Sequence, residues 1–393
     1  MSSYVSSSWR AAVPVVGAVA VLVADGRGCT GVYKYAAAEE NRLDSNCPLR
    51  VTTAVHAANH PIEDTFFAVA PTSGGGSGVA GAFAVFDGHG GAQVSRYCKR
   101  HLLDRFYQAL EDRGQDGPGD GRIRASLLSS FAQVEREIAQ ALKPAFDMGF
   151  GSVARVGACA TVAVVTEERL YVANAGDCRA VLGQSGGSSE EGVMAVELTE
   201  VHNACIPLEK ERLQASHPTE PIEKLVRCRR KTSCYVKGFL QPTRSLGDLF
   251  LKYPEFNGSR PPYAEHSYIR SDKQRARRVR APYDPPYVDP VPEVVVHSRD
   301  SARDKFLILA SDGLWDEMEP GEAVAIVQQC REGVAAGVEG APVAPQTPAE
   351  GLVSAALERA AYRCGMSVEE LKRLPYDKKR SRHDDITVVV VEL

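Results

Sequence analysis

From residue 50 onward, short apolar runs alternate with longer stretches in which apolar residues recur every three or four positions. The short runs predict strands: "VTTAVHAA" (51–58), "TFFAVAP" (65–71) and "GVAGAFAVFD" (78–87) come first. "ACATVAVVT" (158–166), "RLYVANAG" (169–176) and "CRAVLGQ" (178–184) follow in close order, and "KFLILAS" (305–311) and "DITVVVVEL" (385–393) come last. The three-and-four spacing predicts amphipathic helices over 91–112, 124–146, 320–331 and 349–364. The links "EE" (167–168) and "GD" (176–177) are too short for a parallel crossover, so both are expected to join antiparallel neighbours. Hairpin-linked strand groups separated by pairs of helices predict an α/β (α+β) fold of mainly antiparallel sheets packed on each other and covered by helices.

Two segments break the pattern and read as surface insertions: 199–243, of mixed character, and 253–292, rich in Pro, Tyr and Arg. The first 45 residues also stand apart. A Ser-rich start with one Arg and no acid leads into a 14-residue apolar run, "AAVPVVGAVAVLVA", too short to span a bilayer comfortably. An organellar presequence, a secretory signal and an N-terminal strand all fit it. The domain boundaries expected are therefore 1–45 as an N-terminal extension and 46–393 as the folded domain. No stable membrane span is expected.

A formal net charge of −4 argues against a dedicated nucleic-acid binder. Ten cysteines without a C-x-x-C pair do not form a disulfide framework, which points to a reducing compartment and largely inert thiols.

The chemistry lies in acids that sit where strands begin or end. They are Glu63 and Asp64 in "IEDTFFAV", Asp87 in "VFDGHGG", Asp177 in "ANAGDCRAVL", Asp312 and Asp316 in "LILASDGLWDEM", and Asp384 and Asp385 in "RHDDITVVVV". An unpaired carboxylate at a core border costs several kcal/mol, roughly, unless a positive charge meets it. Lys and Arg do not recur beside these acids in any consistent way, whereas divalent cations would supply the charge. All-oxygen ligands favour Mg²⁺ or Mn²⁺ over zinc. The turn after the 78–87 strand adds an imidazole, His89, beside Asp87.

"AVFDGHGG", "ANAGDCRAVL", "TRSLGD", "LILASDGLWD" and "DDITVVVV", in this order, resemble the type 2C metal-dependent serine/threonine protein phosphatases, over residue 50 to the C-terminus. The resemblance implies a four-layer α-β-β-α sandwich with two Mg²⁺ or Mn²⁺ ions at one end of the paired sheets, a weaker third ion, and a phosphoserine or phosphothreonine protein as substrate. It implies that Asp87 bridges the two ions and that Gly88 offers its carbonyl. Asp312 and Asp384 match ligands of one ion, Glu63 matches a ligand of the other, and Asp64 matches a residue orienting solvent there. Asp177 matches an acid of the third ion, and His89 occupies the place of the general acid. Such ions would activate a water for direct attack, and an imidazole suits protonation of the leaving alkoxide. A pseudophosphatase that binds phosphoproteins without turnover is the alternative, and the presence of all the acids weighs against it.

Where many members carry a phosphate-gripping arginine, this chain has Asn59. "NHPIED", together with "HNA…EKERLQASHP" and "PPYVDPVPEVVVH", is similar to the pyruvate dehydrogenase phosphatase branch, which implies a mitochondrial address, with cytoplasmic or secretory placement as alternatives. Asn59 and Arg244 are the substrate-binding candidates. The basic runs "RCRRKTSCYVK" (227–237) and "KQRARRVR" (273–280) are expected to be solvated faces.

Overall fold

The computed structural model describes residues 49–69, 78–113, 119–186, 192–230, 233–258, 278–333 and 347–393. The strands are β1 (Val51–His56), β2 (Thr65–Val69), β3 (Val79–His89), β4 (Gly157–Thr166), β5 (Arg169–Ala175), β6 (Arg179–Ser185), β7 (Val193–Glu197), β8 (Val226–Arg230), β9 (Ser233–Val236), β10 (Leu246–Gly247), β11 (Glu293–Ser298), β12 (Asp304–Ala310) and β13 (Ile386–Glu392). The α-helices are α1 (Gln93–Asp112), α2 (Gly119–Asp147), α3 (Pro207–Ser216), α4 (Ile222–Leu225), α5 (Asp312–Trp315), α6 (Pro320–Arg331), α7 (Pro348–Arg363), α8 (Val368–Arg373) and α9 (Tyr376–Lys379).

One sheet has the order β1-β13-β12-β6-β7, the other β11-β5-β4-β3-β2, with β10 added to β4. The expected sandwich is found, and side-chain alternation explains its layers. Along β4, Cys159, Ala163 and Val165 face the opposite sheet, while Ala158, Ala160, Val162 and Val164 face the helices. Both sets are buried, so this strand reads as a continuous apolar run. On β12, Leu307 and Leu309 point between the sheets, and Phe306, Ile308 and Ala310 point outward to the other helical layer. That layer is α6 and α7. The sheet of β3 and β4 is covered by α1, which buries Val94, Cys98, Leu102, Phe106 and Leu110, one residue per turn.

Three expectations are corrected. The turn 176–177 does not join paired strands: β5 pairs with β4 and β11, whereas β6 pairs with β12 and β7. The chain crosses from one sheet to the other there, through Gly176 at φ 124, and leaves Asp177 at the seam. Next, β3 does not stop at Asp87. His89 still pairs with Gly157, and the turn falls on Gly90 and Gly91, both at positive φ. Finally, the 199–243 and 253–292 segments are not merely superficial. Ala204, Leu213, Leu225, Val226, Cys234, Val236, Tyr287 and Val288 are buried in the same core as α1 and α2.

The 199–243 segment has its own β8–β9 hairpin, closed by a Cys228–Cys234 disulfide. The expectation of inert thiols therefore holds only for other positions, such as the buried, free Cys98, Cys159 and Cys178. The basic run around the hairpin is not uniformly solvated either: the Lys237 ammonium is buried on Glu220, 2.6 Å away, and lies over the Tyr287 ring. Residues 1–45 and most of the 273–280 run lie outside the described residues. Among the described residues no helix is long and apolar enough to cross a membrane.

Leu309 is fully buried between the sheets and Tyr362 is 89% exposed. Leu309→Ala should cost about 2–5 kcal/mol in urea unfolding and Tyr362→Ala less than about 0.5. Equal effects would show that the inter-sheet layer is not the load-carrying core.

Candidate active site

Antiparallel register brings one end of each central strand to the same edge of the sandwich. Asp87 leaves β3 opposite Cys159, β12 ends at Ala310 opposite Val388, and Arg179 at the start of β6 lies opposite Ala310. The acids that flank these ends therefore meet. Carboxylate oxygens of Asp87, Asp177 and Asp312 lie within 4.8 Å of one another. Oδ2 of Asp64 and Oδ1 of Asp312 are buried and accept no hydrogen bond.

Burial, followed by repulsion from neighbouring acids, pushes the Asp64, Asp87 and Asp312 carboxyls well above the usual range. Burial raises Asp384 to about 6, although Arg380 opposes the shift. Glu63 is raised by burial and by Asp385. This is a crowd of hard oxygen donors with excess negative charge and unused lone pairs, and it fits a divalent cation held by carboxylates. One acid has a basic neighbour in space: Arg380 Nη2 is 2.6 Å from Asp384 Oδ2.

The backbone around the acids is tightly held. A Cβ at Gly88 would collide with the Glu63 carbonyl and crowd Ser95 Oγ, so only glycine lets the β3 end lie against the Glu63 loop. Ser95 Oγ donates to that carbonyl at 2.5 Å. Asp177 accepts from Asn203 Nδ2 at 2.9 Å and from the Cys159 thiol at 3.1 Å, which ties the 199–243 segment to the site.

Asp385, which looks like a duplicate of Asp384, has a different task. Its buried carboxylate accepts from the Ala58, Asn59 and Glu63 amides and from Asn59 Nδ2, at 2.7–3.0 Å. It thus shapes the loop carrying Glu63 and Asp64. The Asn59 amide is thereby engaged on Asp385. Arg244, the other substrate-binding candidate, donates to the Val291 carbonyl and lies near Arg212, Glu209, Asp289 and Glu293. Neither is brought onto the acid cluster by a hydrogen bond.

His89 Nε2 is 2.8 Å from Asp248 Oδ2, with the imidazole 26% exposed and Asp248 buried. Burial by itself lowers the imidazole, but Asp248, with Asp177 and Glu63 beyond it, outweighs this and raises it. Asp248 went unnoticed in the sequence because no apolar run precedes it; its signal is the "TRSLGD" motif.

Residues 50–364 match the family model described as Protein phosphatase 2C. The chain is 35% identical over 320 residues to "Probable protein phosphatase 2C 64" of Arabidopsis thaliana, which covers 80% of this chain and 70% of that one. It is 35% identical over 308 residues to "Probable protein phosphatase 2C 72" of Oryza sativa subsp. japonica, covering 78% and 69%. Among solved structures it resembles the serine-threonine phosphatase 2C of Toxoplasma gondii, with TM-score 0.57 and 17% identity over 88% of this chain and 94% of that one. At that identity the likeness speaks to the fold.

The chain belongs to the protein phosphatase 2C family of metal-dependent protein serine/threonine phosphatases.

Asp385→Ala strands four donors and should cost about 2–4 kcal/mol in thermal or urea unfolding; an unchanged midpoint would show that the 58–63 loop does not depend on it. A pH effect comes from His56, whose ring lies 5.2 Å from that of His383. Burial, then His383, Lys379 and Lys372, lowers His56 from 6.5 to about 3. A depressed histidine costs the fold nothing above pH 6.5. Between pH 6.5 and about 3 the unfolded chain takes up a proton that the fold excludes, so stability falls as pH falls. His56→Gln should flatten the melting temperature between pH 7 and 5; an unchanged slope would assign it to other groups.

Proposed function

We propose that the acid cluster holds two Mg²⁺ or Mn²⁺ ions, with a weaker third, and that the phosphatase hydrolyses phosphoserine and phosphothreonine in proteins without a phosphoenzyme. One observation carries this reading: the Asp87, Asp177 and Asp312 carboxylates, from distant parts of the chain, lie within 4.8 Å of one another, and among the described residues Asp312 Oδ1 has no hydrogen-bond partner.

Asp87 is assigned the bridging position, Asp312 and Asp384 one ion, and Glu63 with the Gly88 carbonyl the other. Asp177 and Asp312 are assigned the weak third ion. Bound cations would supply Lewis-acid chemistry, making water nucleophilic near neutral pH and offsetting charge on the phosphoryl group. The protein's own part is positioning and proton movement. Asp64, with a free buried oxygen, orients the attacking solvent. His89 donates a proton to the departing serine or threonine oxygen. Asp385 and Asn59 hold the Glu63–Asp64 loop in place, and Asn203 holds Asp177, so the 199–243 segment acts as a flap whose seating affects the third ion. Asn59 and Arg244 have structural roles in this reading. The phosphatase domain is taken as 46–393.

A substrate of the pyruvate dehydrogenase type and a mitochondrial address belong to the same proposal, supported by "NHPIED" and by the Ser-rich, acid-free start of the chain. A C-terminal fluorescent fusion should coincide with a mitochondrial marker; a diffuse or secretory pattern would overturn that part.

Purified protein with Mn²⁺ should release phosphate from a phosphothreonine peptide, and EDTA should abolish the release. Asp87→Asn and Asp312→Asn should each lower kcat by about 10²-fold or more with the fold retained, and near-normal turnover in either would refute its assignment. Because the Asp384, Asp87 and Asp312 carboxyls are raised in the metal-free fold, cation uptake should expel protons. Mn²⁺ titration calorimetry at pH 6, in buffers of different ionisation enthalpy, should show proton release that shrinks as pH rises. Heats independent of the buffer would contradict the raised carboxyls.

A further inference from the structure

The motif "TRSLGD" is left without a task by the metal reading, and its last residue is built into the site with unusual care. Asp248 is a non-glycine residue in the left-handed region, at φ 50 and ψ 40, and is 1% exposed. Such backbone is uncommon outside glycine, although Asp and Asn tolerate it best, and it persists where the surroundings enforce it.

The surroundings here do so. The Asp248 amide donates to the Val156 carbonyl. The Gly247 amide donates to Glu135 Oε2 at 2.8 Å, and Lys252 Nζ donates both to Glu135 Oε1 at 2.9 Å and to the Ser245 carbonyl at 2.7 Å. Glu135, Ser245 and Lys252 are all buried. The loop is thus bolted to α2. Its carboxylate points back at β3: Oδ2 accepts from Ser245 Oγ at 2.6 Å and faces His89 Nε2 at 2.8 Å. Space for that pair exists because position 157, across from His89 in the β3–β4 ladder, is glycine; a Cβ there would strike both Asp248 Oδ2 and His89 Nε2.

An ionised carboxylate only accepts, so the hydrogen it shares with His89 sits on Nε2. That leaves Nδ1 as the ring nitrogen able to serve the reacting oxygen. We propose that Asp248 is a positioning residue for the phosphatase reaction: it holds the His89 ring through Nε2–H and turns Nδ1–H toward the departing alkoxide. The inference rests on the reading of His89 as the proton donor. Among the described residues no hydrogen bond joins Asp248 to the acid cluster, so its action on the reaction runs through His89. A carboxylate that merely pins the loop would show the same bonds but different kinetics.

The experiment uses the full chain with saturating Mn²⁺, two substrates and three variants: His89→Ala, Asp248→Asn and the double variant. Asn keeps the size of Asp and accepts the left-handed backbone. On a phosphothreonine peptide, Asp248→Asn should lower kcat by about 10- to 100-fold with little change in KM, in line with a weakened proton donor. On p-nitrophenyl phosphate, whose leaving group departs without a proton, the loss should be several-fold smaller. The double variant should be no slower than His89→Ala.

If His89→Ala loses both substrates equally, the proton-donor reading fails, and the Asp248 inference with it. Where His89→Ala spares the aryl substrate but Asp248→Asn does not, or where the double variant falls below His89→Ala, Asp248 supports the loop and the inference alone is overturned. A normal kcat for Asp248→Asn on the peptide also overturns it.

Discussion

Mutual repulsion among carboxylates at one end of the sandwich is the constraint on which the site depends. Two ionised groups within 4.8 Å of each other repel by at least about 3 kcal/mol at an effective dielectric of 20. Several such pairs rival the ~5–15 kcal/mol that holds an ordinary domain together. In the fold, burial and this repulsion push the Asp64, Asp87 and Asp312 carboxyls well above the usual range. A bound divalent cation would offset that repulsion, so the cluster fits a binding centre better than a folding device.

The two sheets exist, from the viewpoint of this site, to set strand ends. Alternating side chains lock the register of β3, β4, β12 and β13 on two buried faces, so a slip of one residue would expose a whole apolar row. Asp87, Asp312 and Asp384 inherit that precision. The remaining pieces are supplied by loops, and each loop has its own anchor, buried or partly buried. Asp385 gathers the amides of 58–63, Asn203 reaches Asp177 from the 199–243 segment, and the Glu135–Lys252 pair fixes the loop of Asp248. Removing one partner of such a buried pair leaves an uncompensated charge, so these anchors are sensitive points although none belongs to the acid cluster itself.

Much of this was legible in the chain. Apolar alternation located the central strands and the long helices, because burial on both faces leaves an unbroken pattern. Of the acids that the fold brings together, Asp87 and Asp312 were legible because each lies at the end of such a run. The crossing at 176–177 was not, since a two-residue link looks the same whether it joins neighbours or passes between sheets. β7 and β11 escaped notice as partly exposed edge strands with mixed composition. The tasks of Asp385 and Asp248 were hidden because their partners are 322–327 and 159 residues away in sequence. The Cys228–Cys234 bond needed the hairpin to bring its ends together.

The most direct measurement is anomalous diffraction from crystals of the full chain grown with Mn²⁺. The expected result is a pair of strong manganese peaks, one between Asp87, Asp312 and Asp384 and one between Asp87, Glu63 and the Gly88 carbonyl. A well-ordered site with no anomalous density among these oxygens would contradict the central claim.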